Sequence, residues 1–356
     1  MKQFEILLRK FLLSVLIFFK KAEKVEKKLE SYDHLKILFI RLNRIGDALV
    51  TTPLLYTIKK NLDCHVTILA SRYNYFIFNN NQLADEVIVY NKKVSSFIKL
   101  INQKNFDVIV DLHDDISTTV SYLVAFSKVK NKIGLKKGID KLYTHLVDKL
   151  DPSKYHVIDR VMEFTKVFGV RYDEQKINVI YRPKPESKKI VDNYIGKHFP
   201  VKNFLVGINI SSGSSARFWG VKKFKEVISL LSNYGVNIVL LCIERDIKYA
   251  WEIAGKNIPI FYRNDFDEFA AMIERIDLLF TPDTSIVHIA SAFNVPVFGL
   301  YVKYNTNHVV WYPYKSDYEV IITTEPTLEN INTEIVKEKF IPFFEKYFYE
   351  YKSKTT

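Results

Sequence analysis

A chain of 356 residues that is 48% hydrophobic and 14% aromatic has ample apolar material for packed cores, which excludes a disordered chain, and its length predicts two domains of roughly 150 residues each. The formal net charge of +12 and a sequence pI near 9.3 favour an anionic partner (nucleic acid, an anionic membrane surface or a phosphorylated substrate) over a merely solvated Lys-rich surface. Only two cysteines occur, Cys64 and Cys242, far apart and each within an apolar run, which argues against a disulfide framework or zinc site and suits a reducing cytosol.

The first feature in chain order is FLLSVLIFF (11–19), an apolar run of nine residues, short of the roughly 20 needed to cross a bilayer. Arg9 and Lys10 precede it and Lys20 and Lys21 follow it. The next residues, KKAEKVEKKLE, hold no small-residue cleavage site and read as a solvated charged helix rather than the end of a signal peptide. Residues 1–30 carry eight Lys/Arg and four Glu, a net of +4. Residues 1–34 are therefore expected as a basic amphipathic helix lying in an anionic membrane interface; the competing reading packs that helix on the protein's own body.

From residue 35 strand and helix patterns alternate. LKILFIRL, HVTILAS, DEVIVYN and FDVIVDL read as buried strands, separated by helical segments around 47–61, 73–80, 94–104 and 116–127. An amphipathic helix is predicted over 154–169, ending at Gly169. The alternation over 35–182 predicts a parallel sheet covered on both faces. Proline and charge then concentrate in RPKPESKK and KHFPVKN, so 183–203 is expected as a linker with one short helix. A second alternation fills 204–328: FLVGINI, VNIVLLCI, IPIFY, IDLLFTP and VPVFGLY as strands, with helices over 221–234, 246–256, 266–274 and 284–293. Residues 329–356 close the chain with an aromatic-rich helix, expected to pack back across the domain junction or to touch membrane. The fold class is α/β, two doubly wound halves with a cleft between them, and ligands in such sheets bind outside the carboxyl ends of strands.

Three strand-to-helix turns carry chemistry. In RLNRIGDALVTTP (41–53), Asp47 reads either as the cap of the helix it opens or as a general base, with Gly46 permitting a tight turn or a close substrate approach. In INISSGSSARFWGVKKF (208–224), Ser211, Ser212, Ser214 and Ser215 with Gly213 and Arg217 precede a helix. This suits an anion without matching the Walker pattern; a plain Ser/Gly loop is the rival. In LLFTPDTSIVHIASAFNVPVFGLY (278–301), Asp283 and Thr284 open a helix with His288 one turn along, as caps and a structural histidine or as a binding arrangement. The acidic run DLHDD (111–115) ends a strand and begins a helix, so capping by Asp114 or Asp115 is expected over metal ligation, with His113 left as an acceptor contact.

In this order and spacing the three turns resemble glycosyltransferase family 9, the bacterial heptosyltransferase family of lipopolysaccharide core synthesis. Residues 36–60 are similar to its first motif, a strand followed by Arg-x-x-x-x-Gly-Asp and Thr-Thr-Pro. Residues 276–300 resemble its signature Pro-Asp-Thr/Ser-Gly-x-x-His-x-Ala-x-Ala followed by Pro-Val. The resemblance implies a GT-B fold of two Rossmann-like domains, acceptor on the first and nucleotide sugar on the second. It implies Asp47 as catalytic base; Arg41, Arg44 and Gly46 on the same turn, together with His113, are expected on the acceptor side. It implies Ser211, Ser212, Arg217, Glu244, Asp283, Thr284, Ser285 and His288 on the donor side, Glu244 for the nucleotide ribose. The chain departs from the family at four donor-side positions: Arg217 stands for Lys, Gly220 for Pro, Ser285 for Gly and Cys242 for a frequent Gly.

The resulting expectation is an inverting, metal-independent transferase with no cofactor beyond its co-substrate, ADP-heptose by family default. It acts on an anionic glycolipid at the cytoplasmic face of the inner membrane, as a peripheral protein. A nucleotide-sugar epimerase of the same fold and a non-catalytic sugar-nucleotide-binding relative are the alternatives. Nucleic-acid binding is not expected, since no recognisable module or aromatic-basic stripe accompanies the charge.

Overall fold

The computed structural model describes residues 2–19, 22, 29, 34–80, 83–305 and 310–355. The chain divides into two compact units, 1–180 and 181–356.

The first unit starts with α1 (Lys2–Phe19), then β1 (Leu35–Arg41), α2 (Ile45–Leu49), α3 (Thr52–Asn61), β2 (Cys64–Ser71), α4 (Tyr75–Asn80), β3 (Glu86–Tyr90), α5 (Val94–Lys104) and β4 (Val108–Asp111). It continues with α6 (Thr118–Phe126), β5 (Asn131–Leu135), β6 (His145–Val147) and α7 (Val157–Met162). Its parallel sheet has the order β3-β2-β1-β4-β5-β6, with Phe39 of β1 opposite Ile68 and Val110. The strand order reverses between β1 and β4. At that point the two neighbouring connections leave toward opposite faces and open a crevice at the carboxyl edge.

Several local expectations need correction. The helix expected over 47–61 is two helices, because Pro53 sits in the first turn of α3, where its missing N–H costs nothing. The Thr51 and Thr52 hydroxyls donate back to the carbonyls of Asp47 and Leu49 at 2.8 and 2.7 Å. The helix expected over 154–169 tightens after Met162 into a 3₁₀ turn over Glu163–Phe168, ending at left-handed Gly169. Strands β5 and β6 were not anticipated. In α1, Leu13 and Leu16 are buried against the core around Phe97, Ile101, Val120 and Leu123, whereas Phe11, Leu12, Val15, Phe18 and Phe19 are exposed. Positions 11, 12, 15, 18 and 19 fall on one side of a 3.6-residue helix and 13 and 16 on the other. The helix therefore packs on the body by one stripe and presents an apolar stripe outward. The charged continuation expected over 20–30 lies outside the described residues apart from Ala22 and Leu29.

The second unit holds α8 (Pro185–His198), β7 (Leu205–Asn209), α9 (Val221–Ser232), β8 (Asn237–Cys242), α10 (Ile247–Ala254), β9 (Ile260–Tyr262) and α11 (Phe266–Ile273). β10 (Leu278–Pro282), α12 (Ile286–Ala292), β11 (Val297–Val302), β12 (Tyr318–Thr323) and α13 (Thr333–Thr355) complete it. Its sheet, also parallel, runs β12-β11-β10-β7-β8-β9, and its reversal falls between β7 and β10.

The segment 183–203, expected as a linker, is instead built into this unit. Pro185 starts α8 rather than breaking it, the Lys184 amide donates to Asp267 at 2.9 Å, and Lys188 pairs with Glu274 at 2.7 Å. The closing helix packs on its own sheet: Val336, Phe340, Phe344 and Phe348 are buried with Phe204, Phe280 and Phe298. Phe340 stands edge-on to Phe280 and Phe298, with centroids 5.2 and 5.0 Å apart, a favoured aromatic geometry. Among the described residues no helix is long and apolar enough to cross a membrane.

Candidate active site

In the first unit Asp47 is the third residue of α2, just past the end of β1. Its carboxylate accepts from the Arg44 amide and from Asn43 Nδ2, each at 3.3 Å, so it does cap its own helix. Arg41, the last residue of β1, adds a second hold: Nη2 lies 3.4 Å from Asp47 Oδ1 and Nε donates to the Asp47 carbonyl at 3.1 Å. The Arg41 side chain is 1% exposed and that of Asp47 19%. The cation is thus interior while the carboxylate keeps a solvent-facing portion. A third Arg41 contact goes from Nη1 to the Leu112 carbonyl at the end of β4. Asn74, fully buried, donates to the carbonyls of Arg41 and Asn43 at 3.0 and 3.1 Å.

Next to this turn lies a buried charge cluster. Asp111 ends β4; its Oδ1 accepts from the His113 amide and ring Nδ1 at 3.0 and 2.8 Å. Its Oδ2 accepts from Lys137 Nζ at 2.8 Å and Tyr143 Oη at 2.6 Å. Burial alone would push the Asp111 carboxyl up, but the His113 hydrogen bond and the Lys137 charge outweigh it and hold the group well below the ordinary carboxylate range. Burial and the Asp111 charge push the Tyr143 phenol well above its ordinary value.

In the second unit the loop after β7, the residues after β8 and the turn after β10 meet at adjacent strand ends. Asn209, buried at the end of β7, donates through Nδ2 to the Ser211 carbonyl and to Thr281 Oγ1, both at 2.9 Å. Ser211 Oγ accepts from the Ile243 amide at 3.1 Å, leaving its own proton to donate. The Ser212 hydroxyl donates to the Ser214 carbonyl at 2.8 Å, so only its lone pairs are left for a further contact. Arg217 joins two turns: Nη1 donates to the Asp283 carbonyl at 3.1 Å and Nη2 lies 3.0 Å from Asp283 Oδ2. Burial raises the Asp283 carboxyl above its usual value, against the pull of Arg217. Thr284 and Ser285 follow at intermediate exposure, and His288 is buried in α12 with its ring 5.9 Å from that of Trp311. Glu244 is exposed beyond β8, and its Oε2 accepts from Asn264 at 2.9 Å.

The family model described as glycosyltransferase family 9 (heptosyltransferase) matches residues 94–340. The chain belongs to glycosyltransferase family 9. A lipopolysaccharide core heptosyltransferase of Haemophilus influenzae, OpsX, is 25% identical over 231 residues, covering 62% of this chain and just under two thirds (65%) of that protein. Lipopolysaccharide heptosyltransferase 3 of Escherichia coli is 26% identical over 293 residues, 76% of this chain and 82% of that one. Among solved structures, E. coli heptosyltransferase WaaC with ADP matches with a TM-score of 0.69 at 14% identity, covering 88% of this chain and 100% of that chain. The likeness extends to the two-sheet GT-B fold.

Two acceptor-side expectations change. Arg41 is buried and holds Asp47 and Leu112, so it braces the turn rather than facing a ligand. His113 has both ring nitrogens engaged, Nδ1 with Asp111 and Nε2 with the Leu42 amide at 3.2 Å, and is 4% exposed; no nitrogen is left for an acceptor. Arg44 is exposed and Gly46 half-buried on the same turn. The DLHDD run caps nothing. Ser117 is the cap of α6, accepting from the Val120 amide, and Asp114 pairs with Arg160 at 3.0 Å. Among the described residues no group of three or more His, Cys, Asp or Glu side chains is arranged to hold a metal.

Two donor-side departures from the family have local explanations. Gly220 precedes α9 at φ +108°, a conformation closed to proline. Ser285 has φ −57°, which needs no glycine. Cys242 is fully buried in the sheet, and burial pushes its thiol up to about 12. Sequence reading missed Asn74, Lys137, Tyr143 and Asn209, and weighed Asp111 only as part of the acidic run 111–115. Only Asp111 and Asn209 carried a signal, each a polar residue closing an apolar strand.

Proposed function

We propose that this chain is an inverting glycosyltransferase that works without a metal, moving a sugar from a nucleotide-sugar donor to a lipopolysaccharide core acceptor. The observation that carries the reading is Asp47: a carboxylate held by Arg41 and the Arg44 amide at the switch point of the first sheet, with part of its surface in solvent. As the acceptor hydroxyl attacks the anomeric carbon, Asp47 takes its proton; the bond to the nucleoside diphosphate breaks, and configuration inverts. A positioned base contributes about 10²–10⁴-fold. In the second unit Arg217 supplies positive charge for the leaving diphosphate, Ser211 a hydroxyl donor, and Glu244 an acceptor for ribose hydroxyls. ADP accompanies the E. coli heptosyltransferase structure, and ADP-heptose is the donor assigned here. Asp283, Thr284, Ser285 and His288 complete the donor turn.

The acceptor is an anionic glycolipid, met at the cytoplasmic face of the inner membrane. The outward stripe of α1, with Phe11, Phe18 and Phe19 exposed, suits shallow insertion beside anionic headgroups. Replacing Phe11, Phe18 and Phe19 together by serine leaves Leu13 and Leu16 in their core and is expected to release the protein from phosphatidylglycerol vesicles. Unchanged vesicle binding would remove the membrane from this reading.

The catalytic claim is tested by Asp47→Ala. Transfer from ADP-heptose to heptose-free lipid A core is expected to fall about 10²–10⁴-fold, with ADP affinity by calorimetry unchanged. Normal transfer by that variant would contradict the assignment of the base.

A further inference from the structure

The buried cluster beside Asp47 takes no part in the chemistry above, yet its contacts converge on the turn that carries the base. Two consecutive residues at the end of β4 grip the end of β1. The Leu112 carbonyl accepts from Arg41 Nη1, and His113 Nε2 accepts from the Leu42 amide at 3.2 Å. A backbone N–H can only donate, so Nε2 is a bare acceptor and the ring proton sits on Nδ1, aimed at Asp111 Oδ1 2.8 Å away. Lys137 Nζ closes the arrangement from the loop after β5, donating to Asp111 Oδ2 at 2.8 Å and to the His113 carbonyl at 2.6 Å. Tyr143 adds its hydroxyl to the same Asp111 oxygen. Its ring lies where a Cβ on Gly134 of β5 would be, so a glycine there is what admits it.

We infer that His113, fixed in one tautomer by Asp111, Lys137 and Tyr143, is a positioning residue that sets the turn from Arg41 to Asp47. The inference rests on the reading of Asp47 as base and deepens it. The ring ties the Leu42 amide to β4, and Arg41, one residue earlier, holds the Asp47 carboxylate. A small shift of this turn moves the base relative to an acceptor hydroxyl, and a misplacement of about 1 Å can cost on the order of 10²-fold in rate.

The test uses the full chain and a pair of substitutions. His113→Gln keeps a carbonyl oxygen at the reach of Nε2, so it can still accept from Leu42. His113→Asn reaches only as far as Nδ1 and loses that contact. Turnover number on ADP-heptose and heptose-free lipid A core is expected to fall roughly 10–100-fold in His113→Asn, with the KM for donor unchanged, and to be largely restored in His113→Gln. Two readouts stand apart from activity. ¹⁵N spectra of histidine-labelled protein should show His113 with the proton on Nδ1, and hydrogen exchange at the Leu42 amide should be slow in wild type and His113→Gln but fast in His113→Asn. A proton on Nε2, equal turnover in the two variants, or unaltered Leu42 exchange in His113→Asn would overturn the inference. Should Asp47→Ala transfer sugar normally while the tautomer and exchange behave as expected, the base assignment falls and the clamp on Leu42 stands, so the two readings fail separately.

Discussion

At the carboxyl edge of the first sheet, the end of β1 is held by ionised groups almost without solvent access: Arg41, Asp111 and Lys137 are each no more than 2% exposed at the side chain. At the matching edge of the second sheet, the end of β7 is held by neutral groups, Asn209, Thr281 and Ser211. Of its ion pairs, Arg217–Asp283 is about a third and a quarter exposed, and in Arg245–Asp246 the arginine is 53% exposed. The strand order is the same in both, so the difference belongs to the residues and not to the topology. Buried charges with every oxygen engaged have one low-energy arrangement, which suits the base proposed at Asp47. Neutral contacts and a solvent-facing ion pair leave a cation able to exchange its partner for a phosphate.

The comparison breaks most visibly at Asp111. Asp111→Asn leaves Lys137 buried without its counter-charge, and chemical denaturation at neutral pH is expected to show a loss of about 3–5 kcal/mol. The folded carboxyl is held below its unfolded value. Its contribution is therefore complete above the ordinary Asp value of about 4 and drains as pH falls further, so the gap between wild type and variant should narrow in acid. A gap below about 1 kcal/mol, or one that widens in acid, would place the rigidity of the first edge elsewhere.

On the second edge the effects are smaller and appear in ligand affinity. Arg217→Ala should weaken ADP binding by about 1.5–3 kcal/mol in calorimetry with little change in melting temperature, because its ion pair is partly exposed. Arg217→Lys keeps the charge, loses the two-point contact with Asp283, and should fall between. A large stability loss with unchanged affinity would make Arg217 a brace like Arg41. Glu244→Ala, altering an exposed group, should cost about 1 kcal/mol in ADP affinity and nothing in stability. The smallest effect is at sulfur. Cys242 is fully buried and burial pushes its thiol up to about 12, so it should not react with maleimide at neutral pH in the folded protein. Prompt labelling of Cys242 would show that the second edge opens.

The strands legible in the sequence were those buried on both faces, such as ILFIR and IVLLC, whose apolar runs need no partner to be recognised. Those missed were β5, β6 and β12. NKIGL is broken by Lys132 and by Gly134, which admits the ring of Tyr143, HLV is too short to show a period, and YEVIIT is an edge strand with half-exposed side chains. The turns with Asp47, Arg217 and Asp283 were legible because each packs its polar residues into a few consecutive positions. The Asp111 cluster was not, since Lys137 lies 26 residues from its partner and nothing local marks the pair. Arg41 and His113 were assigned to the acceptor side for the related reason that a sequence shows a residue's type but not whether its donors are already engaged.

The central claim is that this chain joins a nucleotide-activated sugar to a glycolipid. Incubating the wild-type protein with ADP-heptose, in the presence and absence of heptose-free lipid A core, and weighing the lipid by mass spectrometry tests it most directly. The account predicts a lipid heavier by one heptose and consumption of donor only when the lipid is present. Donor altered in the absence of lipid, with the lipid mass unchanged, would contradict it.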